Sequence, residues 1–77
     1  MTRYFEIYVA GSHGFSAYVK TDKPVQHLEV DVLNWAVAAK VIEGGDAKEV
    51  FNDAGYVKEH TLADLTANGD VEFCRNI

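Results

Sequence analysis

The chain has one cysteine, Cys74, among its 77 residues. A single thiol forms no intrachain disulfide and builds no multi-thiolate metal site within one chain, so a reducing compartment suits it. Basic residues are also scarce, seven against twelve acids, for a net charge of −5. Their distribution is uneven. From Glu29 to Glu72 ten acids meet only Lys40, Lys48 and Lys58, which leaves −7 there, while residues 1–28 carry +1 and Arg75 adds one more. Nucleic-acid binders draw affinity from Lys and Arg neutralising phosphates. That term is repulsive over most of this surface, so direct binding of DNA or RNA is not expected. Long apolar runs are missing as well. The longest, Trp35–Ala39, has five residues where about 20 are needed to cross a bilayer. Met1–Glu6 holds one Arg and alternating aromatics in place of the apolar core of a signal peptide, which makes the cytoplasm the expected location and a membrane no partner.

Recognisable chemistry is missing too. His13, His27 and His60 do not fall at the i, i+4 spacing of a helical metal pair, and none neighbours a second ligand type, so no metal is expected. Gly11–Ser12–His13–Gly14 lacks the Lys, the Gly spacing and the following helix of a phosphate-holding loop, and reads as a turn. Cys74, alone near the chain end, reads as a small packing residue and not as a nucleophile. No catalytic residue and no cofactor are expected.

What is present is the pattern of one small α+β domain, near the size at which a single core just suffices. Phe5, Ile7 and Val9 alternate with Tyr4, Glu6 and Tyr8, and Phe15, Ala17 and Val19 alternate with Ser16, Tyr18 and Lys20. Two half-buried strands joined as a hairpin follow, with a loop at Ser12–His13–Gly14 that pairs Val9 with Ala17. Residues 27–32 read equally as strand or helix. From Asp31 the helical period is clear, with Asp31 as its cap and Gly44–Gly45 as its end. This helix carries two apolar stripes, one of Val32, Trp35, Ala36, Ala39 and Ile42, the other of Leu33, Val37 and Val41. The second needs cover from Leu62, Leu65 and Phe73 or from a second copy, so the chain is a monomer or a homodimer.

Ala47–Phe51 and Tyr56–His60 read as a second hairpin around Asn52–Asp53–Ala54–Gly55, with Glu49 opposite Lys58 and Lys48 opposite Glu59. Thr61–Leu62–Ala63–Asp64 has capping-box spacing for a short helix that Asn68–Gly69 stops, and Asp70–Arg75 reads as a last strand with Val71 and Phe73 inward. The expected architecture is an antiparallel sheet of about four or five strands on one main helix, ordered β-β-α-β-β, with a short C-terminal helix and the last strand.

Two surfaces are candidates for binding. Tyr4, Tyr8 and Tyr18 share one face of the first hairpin and form an aromatic platform unless a helix or loop covers them. The acids Glu29, Asp31, Glu43, Asp46, Glu49 and Asp53 form either a plain solvated surface or a face that docks on a basic protein partner. An alternative class is a small-molecule-binding or enzymatic domain that uses the tyrosine face and His13. A chain this short leaves little room for a pocket of the usual ~300 Å³ or more.

The segment Asp31-Val-Leu-Asn-Trp-Ala-Val-Ala38, followed by Ile42-Glu-Gly-Gly-Asp46 and by Val50-Phe51, resembles segments of small phage-encoded accessory proteins. Anti-CRISPR inhibitors are among such acidic proteins. The resemblance covers about a quarter of the chain and includes no functional motif, so no residue role is carried over. It implies a non-enzymatic inhibitor, acting in the host cytoplasm, that blocks a basic host nucleoprotein complex.

Overall fold

The computed structural model of the chain describes residues 1–10 and 14–77. Strict alternation produces two antiparallel strands, β1 (Arg3–Val9) and β2 (Phe15–Thr21), with Phe5, Ile7, Val9 and Val19 buried on one face. Val9 pairs with Phe15, Ile7 with Ala17 and Phe5 with Val19, two residues away from the expected register. A shift of two keeps every side chain on its face, so hydrophobic pattern alone does not separate the registers. Ser12 and His13 of the expected loop lie outside the described residues.

Helix α1 (Leu28–Ala38) starts three residues before Asp31, which resolves the ambiguity of the segment in favour of helix. Asp31 still serves the helix end. From inside the first turn its carboxylate accepts the backbone N–H groups of Gln26 at 2.9 Å and His27 at 3.0 Å. The helix stops well before Gly44. Lys40 adopts the left-handed conformation (φ 60°), its N–H bonds Val37 O at 3.0 Å, and Val41 N–H bonds Ala36 O at 2.9 Å. Those two bonds make a Schellman ending, with lysine where glycine is usual.

The main correction concerns residues 44–60. Gly44 and Gly45 open a second helix, α2 (Gly44–Glu49), where the sequence pattern of Ala47–Phe51 predicts a strand. Glu43 N–H reaches the Asp46 carboxylate at 3.4 Å, which satisfies a free donor at the helix start. Ala47 and Val50 are buried three residues apart, a helical period and not a strand's. A wide π-type turn over Val50–Ala54, with Asp53 left-handed (φ 65°), leads into β3 (Gly55–His60). β3 pairs with β1 and not with residues 47–51, so the expected Glu49–Lys58 and Lys48–Glu59 pairs do not form.

α3 (Leu62–Asn68) follows the sequence closely: Thr61 Oγ1 accepts Asp64 N–H at 3.1 Å, and Gly69 (φ 74°) ends the helix in the left-handed conformation. A single 3₁₀ turn, Val71–Phe73, then replaces most of the expected last strand, which shrinks to β4 (Arg75–Asn76). Phe73 points outward, 63% exposed. β4 runs parallel to β2, so the sheet, ordered β3-β1-β2-β4, is mixed and not wholly antiparallel, while the α+β class holds.

α1 covers the odd-numbered face of the sheet, where Val32, Leu33 and Ala36 join Phe5, Ile7, Val9, Val19, Ile42, Ala47 and Val50 in one core. The second helical stripe is thus covered within the chain, but by different residues from those expected. Leu33 shares the core with Ala47 and Val50, Val37 and Val41 pack at its margin, and Leu62 and Phe73 are exposed. Leu65 is fully buried outside this cluster.

Candidate functional site

The even-numbered face of the sheet collects the polar and aromatic side chains. Pairing on both sides of β1 sets three rows: Tyr56, Tyr8 and Ser16; Lys58, Glu6 and Tyr18; His60, Tyr4 and Lys20. Glu6 stands at the centre. Its carboxylate lies 2.9 Å from His60 Nε2 and accepts Ser16 Oγ at 3.0 Å and, more weakly, Tyr56 Oη at 3.4 Å. The Glu6 and His60 side chains are only 13% and 14% exposed. A carboxylate this enclosed is tolerable because three donors meet it.

Tyr4, Tyr8 and Tyr18 do share this face, but in different surroundings. The chain crosses from β3 at one edge to β4 at the other past Tyr18, whose hydroxyl is held above its ordinary pKa by burial and by the Glu6 and Asp70 carboxylates. The opposite end stays open. There Tyr8 stacks on Tyr56, centroids 5.1 Å apart and planes 15° from parallel, and Tyr56 remains 43% exposed. Burial followed by the Glu6 charge raises the Tyr56 pKa. Phe15 and Phe51, 41% and 45% exposed, belong to segments that enter the same end of the sheet.

The predicted acids divide in two. Asp31 is committed to its own helix, and those backbone hydrogen bonds lower its pKa. Asp46 is half-buried and faces Glu43 N–H. Glu43 and Glu49 are exposed and, with Asp46, recur every three residues along one flank of α2, and exposed Asp53 follows in the turn that leads to Tyr56. Glu29 lies in the first turn of α1, on a different element.

Tyr56, Glu6 and His60 escape the sequence reading because Tyr56–His60 is assigned there to a separate hairpin. The usable signal was charge: Lys58 fits opposite Glu6 as well as opposite Glu49.

Other candidates have structural surroundings. His13 lies outside the described residues, and His27 is the N-cap residue of α1. Cys74 Sγ lies 3.8 Å from Asp70 O, and burial pushes its thiol pKa up, away from nucleophile chemistry. Among the described residues no group of three or more His, Cys, Asp or Glu can hold a metal ion, and no helix is long and apolar enough to cross a membrane. At the far end of β1 an open cleft of about 700 Å³ is lined by Arg3, Tyr4, Glu59 and Leu62, so the size limit expected for a pocket does not hold. Its cation is already engaged, since Arg3 grips Glu59 with two bonds of 2.8 and 2.9 Å and lowers the Glu59 pKa. Comparison with protein-family models, with curated proteins and with solved structures finds no match.

Proposed function

We propose that this chain is a non-enzymatic protein-binding module that meets a basic partner with the open Tyr8–Tyr56 end of its sheet and the acidic flank of α2. The stacked tyrosine pair carries this reading. A ring that is 43% exposed yet already ordered by stacking and by a carboxylate offers contact area at low entropic cost, as interface aromatics do. Exposed Glu43, Glu49 and Asp53 add steering toward a positive surface. The particular form is a phage-type, anti-CRISPR-like inhibitor that presents carboxylates where a nucleoprotein complex holds phosphates, and it rests on the resemblance of residues 31–38, 42–46 and 50–51.

Immobilised protein incubated with bacterial lysate tests the reading. A specific partner is retained at low salt and released at raised salt, and is lost with Tyr8→Ala/Tyr56→Ala and with Glu43→Lys/Glu49→Lys/Asp53→Lys while the variants keep their circular dichroism. Capture insensitive to salt and to both variants counts against it. A second reading, small-molecule binding, is favoured by the cleft beside Tyr4, whose volume exceeds the ~300 Å³ typical of ligand sites. A thermal-shift screen of metabolites tests that one, because a true ligand raises the midpoint by several degrees.

A further inference from the structure

The outer edge of β3 has no strand partner among the described residues. Its geometry is fixed by the ladder on its other side. Val9 lies opposite Gly55 and Ala10 N–H donates to Ala54 O at 2.9 Å, so the even residues Tyr56, Lys58 and His60 turn their peptide groups toward β1. By alternation, the N–H and C=O of Val57 and Glu59 and the C=O of Gly55 point outward. The six residues of β3 include no proline, and the one charge on its odd face, Glu59, is held by Arg3 of β1, so the backbone edge stays free to pair.

We infer that this edge pairs with the β3 edge of a second copy, antiparallel about a two-fold axis at Val57. A two-fold axis perpendicular to the sheet keeps even residues on the even face, so only registers joining residues of like parity are allowed. The one centred on Val57 also matches the outward backbone groups. Val57 N–H and C=O bond reciprocally to Val57 of the second copy, and Glu59 N–H reaches the C=O of the second copy's Gly55.

Side chains select the same register. Lys58, exposed and without an ion pair among the described residues, falls beside the exposed ring of the second copy's Tyr56, a cation–π arrangement made twice. Glu59 falls opposite glycine. Sliding the axis to Lys58 sets two ammonium groups against each other, and sliding it to Tyr56 shortens the shared ladder. Beyond the two ends of β3, Phe51 and Leu62 are 45% and 49% exposed. The assembly is a continuous eight-stranded sheet with both Tyr8–Tyr56 pairs on one side. This inference does not rest on the protein-binding reading, since the edge backbone carries it, although the two share the ring of Tyr56.

Light scattering over a concentration series reads the mass, and amide hydrogen exchange reads the edge. The expected mass rises from 8.5 kDa to twice that, with Val57 and Glu59 amides becoming protected in step. Glu59→Pro removes an outward N–H and abolishes the dimer. Glu59→Ala, which removes only the carboxylate that holds Arg3, retains it. Should Glu59→Pro fail to fold, exchange on the native chain decides alone. A monomer at every concentration, or a dimer with unprotected Val57 and Glu59 amides, overturns the inference and leaves the edge to a foreign strand.

Discussion

Replacing Gly55 with alanine tests the pairing of β3 on β1 at its tightest point. The backbone there is extended (φ −163°, ψ −164°), which any residue adopts, so conformational strain is not the issue. Space is. A Cβ on Gly55 would lie 2.1 Å from Tyr8 O, 3.1 Å from Tyr8 C and 3.2 Å from Val50 Cγ2. Relieving the first contact requires β3 to retreat from β1 by about 1 Å, which lengthens adjacent ladder bonds beyond useful range. Two such bonds at about 1 kcal/mol each, with about 1 kcal/mol of disturbed packing against Val50, come to about 3 kcal/mol. For a chain this size that lowers Tm by about 12–24 °C. Thermal and urea melts followed by circular dichroism measure it, with Gly45→Ala as control because a Cβ there meets nothing within 4 Å in a helix. The control holds or raises Tm. A Gly55→Ala protein melting within about 3 °C of the parent would refute the placement of β3.

Glu6→Ala removes the acceptor shared by His60, Ser16 and Tyr56 and is expected to destabilise by about 1–3 kcal/mol in the same melts, while the far-UV spectrum keeps its shape. Lys40→Gly relieves the left-handed strain at the end of α1 and raises stability by about 0.5–1 kcal/mol, seen as a higher urea midpoint. Stability also falls in acid. The carboxyls of Asp31 and Glu59 titrate below their ordinary 3.8 and 4.5 in the folded chain, so their contribution is present above those values and is lost as pH falls through the lower folded ones. Asp31→Asn/Glu59→Gln therefore flattens stability against pH between about 5 and 2, measured by urea midpoints.

Local signals are the legible ones in this chain. Alternation in Arg3–Val9 and Phe15–Thr21 gives the first two strands, and Thr61 with Gly69 gives α3 nearly to the residue. The α1 boundaries differ because Asp31 caps from within the first turn and a lysine accepts the left-handed position that the sequence reading assigns to glycine. Residues 47–60 mislead for a stronger reason. Charge complementarity there supports a local hairpin, yet Lys58 stands opposite an acid, Glu6, in the β1 register as well, and pairing on β1 also buries Val50 and Ala47 against α1. That burial is non-local and has no mark in the segment itself. The tyrosine platform is half legible for the same cause: Tyr8 belongs to a local hairpin, whereas Tyr56 joins it only through β1–β3 pairing.

The proposed docking surface joins the open tyrosine end to the acidic flank of α2. ¹H–¹⁵N NMR titration of the isotope-labelled chain with a short polyarginine peptide tests it without a known partner. If that surface docks a basic partner, shift changes concentrate at Tyr8, Phe51, Tyr56, Glu49 and Asp53, weaken as salt rises, and disappear from this end in Tyr8→Ala/Tyr56→Ala. Shifts centred on Glu29 and Glu72, or spread evenly over all exposed acids and unchanged by the tyrosine variant, would contradict it.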